Sequence, residues 1–208
     1  VTDSTTRGVL LAGGNSTRFA DGDKALARLD GTPLIRRAAD ALADATGRPP
    51  VVAAGDHPPD AYRDALDDPD FLPDAPDFRG PLAGLASAAR ALDGGWLLVV
   101  ACDMPRLDAA ALRWLDTERR RAPTGTDAVV PIADGVPQPL CAAYRRTALR
   151  DALDDLSETA GPRALLDHLR THTLGPDDTP PTVDLHAALT NVNTTDALED
   201  ILREEGRR

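Results

Sequence analysis

Two glycines followed at short spacing by two cations are the first residues of this chain with chemical potential. Gly13-Gly14 close the apolar run Val9-Leu10-Leu11-Ala12, and Arg18 and Lys24 follow in a polar loop. Glycine lets main-chain N–H groups approach phosphate oxygens closely, and the two side chains neutralise charge that amides cannot. The pattern points to a polyphosphate. A plain strand-to-helix turn would use the same glycine pair; the cations at fixed offsets favour the anion. Lys24 is the single lysine of the sequence, every other basic residue being arginine. No Gly-Lys-Ser/Thr is present, so this is not a P-loop, and without GxGxxG it is not a dinucleotide fingerprint.

Four further residues have the right types. Asp103 stands where the apolar run Trp96-Leu97-Leu98-Val99-Val100-Ala101 stops, just before Met104-Pro105. A carboxylate there suits a hard cation such as Mg²⁺ beside phosphate oxygens, or the cap of an Asx-turn. Asp74 sits in a stretch crowded with aspartates and carries less information. Asn191 and Asn193 are turn formers or amides for a heterocycle or a phosphate. His57, His168, His172 and His186 lack ligand spacing and fall in loops or helices, so no chemistry is assigned to them. Ser16 has no histidine partner visible in sequence. Arg119-Arg120-Arg121 reads as a solvated helix end, favourable to the macrodipole.

The elements that must position these residues alternate along the chain. Residues 8–11, 51–54, 71–72 and 96–101 read as strands. Residues 33–45, 60–66, 81–92 and 108–121 read as helices, the first with a turn, a cap and a proline from Gly31-Thr32-Pro33. This order predicts an α/β fold with a doubly wound, mostly parallel sheet. Ligands of such sheets bind at the carboxyl ends of the strands, so the glycine loop, Asp74 and Asp103 should share one edge. Beyond residue 126, strands at 128–132 and 140–144 suggest an antiparallel addition. Helices are expected near 147–156 and 162–168, and a last one from 196 to 203 with Thr194 or Thr195 as N-cap. One domain is expected over 1–208, with a nucleotide-binding half to about residue 125 and an acceptor-binding half after it.

The chain's 208 residues suffice for one such domain, and 42% apolar content with 3% aromatics implies a core of Ala, Leu and Val. A net charge of −11 argues against nucleic acid and against an anionic membrane surface. Abundant aspartate and arginine with one lysine look like a surface kept soluble in concentrated salt, or like high-GC codon bias. Cys102 and Cys141 lack CxxC spacing, which excludes zinc and thioredoxin-type readings. With no membrane-length apolar run and no leader, a cytosolic protein is expected.

The stretch Leu11-Ala12-Gly13-Gly14-Asn15-Ser16-Thr17-Arg18-Phe19, continued by Asp23-Lys24-Ala25-Leu26, resembles the signature of the molybdenum cofactor guanylyltransferases, the MobA-like nucleotidyltransferases. The resemblance continues in order through Gly80-Pro81-Leu82-Ala83-Gly84, Cys102-Asp103-Met104-Pro105, Pro137-Gln138-Pro139-Leu140-Cys141-Ala142-Ala143-Tyr144 and Asn191-Val192-Asn193-Thr194. The first block alone marks a wider superfamily of nucleotidyltransferases; the later blocks narrow it. The resemblance implies a Rossmann-like nucleotidyltransferase fold and transfer of GMP from GTP to molybdenum-bound molybdopterin, with release of pyrophosphate. It implies nucleotide contacts at Leu11, Ala12, Gly13, Gly14 and Asp74, and catalytic cations at Lys24 and Arg18. It further implies Asp103 on GTP and Mg²⁺, an acceptor side at Asn191 and Asn193, and molybdoenzymes or their chaperones downstream. Two departures stand out. Ala20 replaces a common glycine after Phe19, and Ala53-Ala54-Gly55-Asp56 lacks an asparagine that the family often offers the base. Alternatives are a same-fold enzyme using CTP or another phosphate acceptor, a non-catalytic nucleotide-binding module that delivers cofactor, and, more distantly, a nicotinamide-dependent oxidoreductase.

Overall fold

In the computed structural model, residues 5–13, 22–67 and 69–205 are described. Gly14 and Arg18, both expected at the phosphate site, lie outside the described residues, as do Ser16 and Ala20. The strands are β1 (Thr6–Leu11), β2 (Arg28–Leu29), β3 (Thr32–Pro33), β4 (Val51–Ala53), β5 (Phe71–Leu72), β6 (Trp96–Ala101), β7 (Ala128–Ala133), β8 (Val136–Pro137), β9 (Cys141–Arg145) and β10 (Thr171–Leu174). The α-helices are α1 (Leu34–Thr46), α2 (Asp60–Arg63), α3 (Pro81–Ala91), α4 (Ala109–Arg121), α5 (Arg146–Asp154), α6 (Leu185–Ala188) and α7 (Thr195–Glu205).

The main sheet runs β10-β7-β9-β6-β1-β4-β5, with β8 added to β7. β6, β1, β4 and β5 are mutually parallel, as the alternating pattern predicts. β9 is antiparallel to both β6 and β7, so the expected antiparallel addition is inserted beside β6 and carries the sheet onward. β10, parallel to β7, was not expected; His172 therefore lies on a strand rather than in a loop or helix. Period-2 alternation divides the core. Leu10, Val52, Leu98 and Val100 face the α1–α4 layer, while Val9, Leu11, Leu97 and Val99 face α3 and α5. Alanines predominate on the buried face of α3, with Ala83, Ala86, Ala88 and Ala89, while α1 and α4 mix alanine with Ile35, Leu42, Leu112, Trp114 and Leu115.

Pro33 proves to be the N-cap residue of α1, not its first helical residue, because Thr32 is held in a small β2–β3 hairpin. Asp108 caps α4 through Ala111 N–H at 2.8 Å, and Thr194 caps α7 through Ala197 N–H at 3.2 Å. Of the arginine run at the end of α4, Arg120 and Arg121 are exposed as expected of a solvated end, and Arg119 is not. Arg119 is buried, donating to Asp116 at 2.9 Å with its guanidinium 5.3 Å from the centre of the Trp96 ring. Asp116 also accepts from Thr6 at 2.9 Å and from Arg120, so β1 and α4 are joined at the amino end of the sheet.

Gly84 shows how tightly α3 is seated. A Cβ there would stand 2.8 Å from the Ala53 Cβ and 3.0 Å from the Leu11 Cδ2. Replacing it by alanine gains about 1 kcal/mol of helix propensity, against about 1–3 kcal/mol for overpacking a close-packed core. The Ala53 methyl is fixed to a strand and cannot yield, so overpacking wins. Gly84→Ala is expected to lower stability by about 1 kcal/mol in a denaturant titration with unchanged slope.

Candidate active site

The carboxyl ends of β1, β4, β5 and β6 share one edge, and the candidate residues gather along it. Lys24 opens a short 3₁₀ turn (Lys24–Leu26) for which Asp23 is the N-cap, its carboxylate accepting from Ala25 N–H at 2.9 Å. From that turn the ammonium reaches Asp103 Oδ2 at 2.8 Å and Asn193 Oδ1 at 3.4 Å. Asp103 immediately follows Cys102, whose N–H donates to the Leu11 carbonyl at 3.0 Å. The main chain of Asp103 also accepts from Val192 N–H at 2.8 Å, which pins the segment between the two asparagines against the end of β6. Val192 is fully buried with Leu29, Leu34, Leu198 and Ile201. Lys24, Asp103 and Asn193, far apart in sequence, therefore meet at one point.

Asn191 does not join them. Its side-chain amide donates at 3.4 Å to the Leu189 carbonyl. It also lines a cavity of about 470 Å³ between Arg106, α6 and α7. Asp74 is on the same edge, but β1 and β4 intervene between its strand and that of Asp103. The Asp74 carboxylate reaches back toward the ends of β4 and β1: a Cβ on Gly84, which would stand 2.8 Å from Ala53 Cβ and 3.0 Å from Leu11 Cδ2, would lie 3.8 Å from Asp74 Oδ1. Asp74 is half-buried; burial first, then the charge of Asp56, pushes its carboxyl above the ordinary range, and the Gly55 amide partly offsets this.

Gly13 serves a steric purpose as well as any toward an anion. A Cβ on it would lie 2.6 Å from Gly55 Cα and 2.7 Å from Gly55 N, both main-chain atoms. The amides of Ala12 and Gly13 are donated to the Ala53 carbonyl at 2.9 and 3.2 Å. Glycine is required here because the ends of β1 and β4 touch.

Asp103 Oδ1 is buried and has no hydrogen-bond partner among the described residues. A buried carboxylate oxygen left open beside a cation is the donor a hard divalent ion takes. No group of three His, Cys, Asp or Glu is arranged for a metal among the described residues. An ion held at Asp103 would thus complete its shell with phosphate oxygens and water, the usual state of Mg²⁺. The donor set fits such an ion.

Cys102 and Cys141 are free and buried. Burial, reinforced by Asp103 and opposed by Lys24, pushes the Cys102 thiol up to about 12, and burial does the same for Cys141. Both remain thiols near neutral pH and neither is a nucleophile. The Pro137–Tyr144 block is structural: Tyr144 O–H donates to the Pro139 carbonyl at 2.7 Å, and Leu140 O accepts from Ala101 N–H at 2.8 Å. Sequence reasoning overlooked Asp23 and Tyr62. Tyr62 is fully buried, and its hydroxyl donates to Asp23 at 2.5 Å. The chain has only two tyrosines, and one of them in the short acidic segment 60–66 was the available signal.

A family model described as the MobA-like NTP transferase domain matches residues 8–174. A probable molybdenum cofactor guanylyltransferase of Natronomonas pharaonis is 31% identical over 207 residues, covering 96% of each chain. A protein of the same description from Bacillus subtilis is 36% identical over 155 residues, 72% of each chain. Among solved structures, molybdopterin-guanine dinucleotide biosynthesis protein A of Archaeoglobus fulgidus superposes with a TM-score of 0.79 at 22% identity, over 97% of this chain and 100% of that one. A Mycobacterium tuberculosis protein crystallised in complex with manganese superposes at 0.70 and 19% identity, over 96% and 98%. No described helix is long and apolar enough to cross a membrane. The match over most of the sequence, on a sheet whose parallel edge gathers Lys24 and Asp103, makes this chain a member of the MobA-like NTP transferase family and a nucleotidyltransferase.

Proposed function

We propose that the enzyme transfers GMP from GTP to the terminal phosphate of molybdenum-bound molybdopterin and releases pyrophosphate. The observation that carries this reading is the meeting of Lys24 with Asp103 and Asn193 at the carboxyl ends of β1 and β6. The sequence relatives, named as probable molybdenum cofactor guanylyltransferases and one of them matched over 96% of the chain, support the choice of substrates.

In this reading the acceptor's phosphate oxygen attacks the α-phosphorus in line, and the bond to pyrophosphate breaks. Lys24 leaves Asp103 for the triphosphate and, with Arg18, stabilises charge growing on the leaving group. Asp103, once released from Lys24, would be the residue that holds Mg²⁺, its carboxylate offering Oδ2 and the orphaned Oδ1. Bound there, the ion supplies Lewis-acid polarisation of a phosphoryl oxygen. A phosphate monoester, with a second pKa near 6, is already ionised at neutral pH, so no general base is needed. Leu11, Ala12 and Gly13 border the nucleotide. Since the amides of Ala12 and Gly13 are engaged by Ala53, donors to phosphate fall to Gly14 and the loop beyond it. Asp74 takes the nucleoside end, and Asn193 with Asn191 flanks the acceptor. The halves meet at this edge, residues to about 125 binding nucleotide and the remainder the acceptor.

The test is pyrophosphate release with each nucleoside triphosphate, with and without molybdopterin, at low and high salt. Release with GTP, dependent on acceptor, is expected. CTP-selective turnover would transfer the reading to the cytidylyl branch, and tight GTP binding without pyrophosphate would indicate a delivery module.

A further inference from the structure

We propose that Tyr62 is a positioning residue for Lys24 and acts through Asp23. The inference rests on the reading of Lys24 as the cation that binds the triphosphate. Lys24 stands on a 3₁₀ turn of three residues, too short to hold a direction by its own hydrogen bonds. Its orientation depends on the preceding N-cap, Asp23, and that carboxylate is itself held from outside the turn. One oxygen accepts from Ala25 N–H at 2.9 Å. The other accepts from the Tyr62 hydroxyl at 2.5 Å and faces His57 Nδ1 at 3.7 Å.

Tyr62 comes from α2, a single helical turn after β4 in which no other residue is buried. Its side chain is fully buried, and its oxygen also lies 3.4 Å from the Ala12 carbonyl, the last before Gly13. The hydroxyl thus stands between the end of β1 and the lysine turn, the two edges of the loop expected to hold phosphate. Burial, reinforced by Asp23, raises the Tyr62 pKa far above its usual value, so the group is always a donor. A phenylalanine would fill the same core space equally well. The hydroxyl is the part that core packing does not require.

The chain offers an unusual probe, because Lys24 is its only lysine. Incorporating lysine labelled with ¹³C at Cε gives one side-chain resonance, which reports Lys24 alone. In the intact enzyme that resonance should be displaced from the position of a free lysine. Tyr62→Phe is expected to move it toward the free position and to reduce kcat for pyrophosphate release on the order of tenfold, as for a slightly misplaced catalytic group. Asp23→Asn, which leaves Tyr62 in place, should move it likewise. In a Lys24→Ala background Tyr62→Phe should add no further loss, whereas a merely structural role would add its full effect. An unmoved resonance in both variants overturns the proposal, as does an undiminished Tyr62→Phe loss without Lys24. A resonance that moves while kcat holds would uphold the positioning and sink the phosphate role of Lys24 instead.

Discussion

Lys24→Ala is expected to reduce pyrophosphate release by about 10²–10³-fold, the usual cost of removing one preorganised donor from developing negative charge. The ammonium projects from its turn to oxygens of Asp103 and Asn193, and no neighbouring lysine can replace it. Its side chain lies at the edge of the site with 21% of its surface exposed, so it contributes little to the core. Asp103, whose side chain is only 18% exposed, then keeps a mostly buried charge without its partner, and some stability is lost with the lysine. The melting transition is expected to stay cooperative but to fall by several degrees from that of the parent, so turnover is compared well below it. Lys24→Arg should not restore turnover, since a planar guanidinium is longer and differently hydrated than a compact ammonium. Near-normal turnover of Lys24→Ala would remove the lysine from the mechanism.

Asp103→Asn is expected to have the second large effect. Asparagine keeps the size and an acceptor for Lys24 but removes the negative charge and half of the oxygen donors. If Asp103 holds the cation, the Mg²⁺ concentration for half-maximal rate should rise at least about tenfold. The rate at saturating metal should fall on the order of 10²-fold, in line with several kcal/mol of lost Lewis-acid stabilisation. The readout is a metal titration of initial rate, with Mn²⁺ in parallel. An unaltered titration would leave Asp103 as a partner for Lys24 alone.

The legible parts of the fold were those where one segment carries its own pattern. Trp96–Ala101 is apolar throughout because β6, in the middle of the sheet, is covered by helices on both faces. β10 was invisible: Thr171–Leu174 lies at a sheet edge, mixes polar with apolar residues, and gains strand character only from β7. The β2–β3 hairpin, two residues a side, is below the length at which alternation can be seen. The site shows the same division. Lys24 and Asp103 were recognisable by type and by position after apolar runs. The link from Tyr62 to Asp23 was not, because 39 residues separate them and neither spacing nor periodicity joins them. Arg119 looked solvated for the same reason, since its burial comes from Trp96, on another element. Gly13 was expected to bring its amide to phosphate, whereas the requirement for glycine comes from its contact with Gly55, which exists only once β1 and β4 are paired.

The packing of Val192, Leu198 and Ile201 against Leu29 and Leu34 has a consequence for the time at which activity arises during synthesis. The parallel strands that end at the glycine loop and Asp103 are complete by residue 103, and their helices soon after. Asn193 and the α7 residues that clamp Val192 leave the ribosome only some ninety residues later. A nascent chain that ends just before Asn193 has every strand of the main sheet but still lacks the wall beside Lys24. In the reading proposed above, a chain halted there would therefore lack the asparagine that touches Lys24 and the clamp that holds its segment in place.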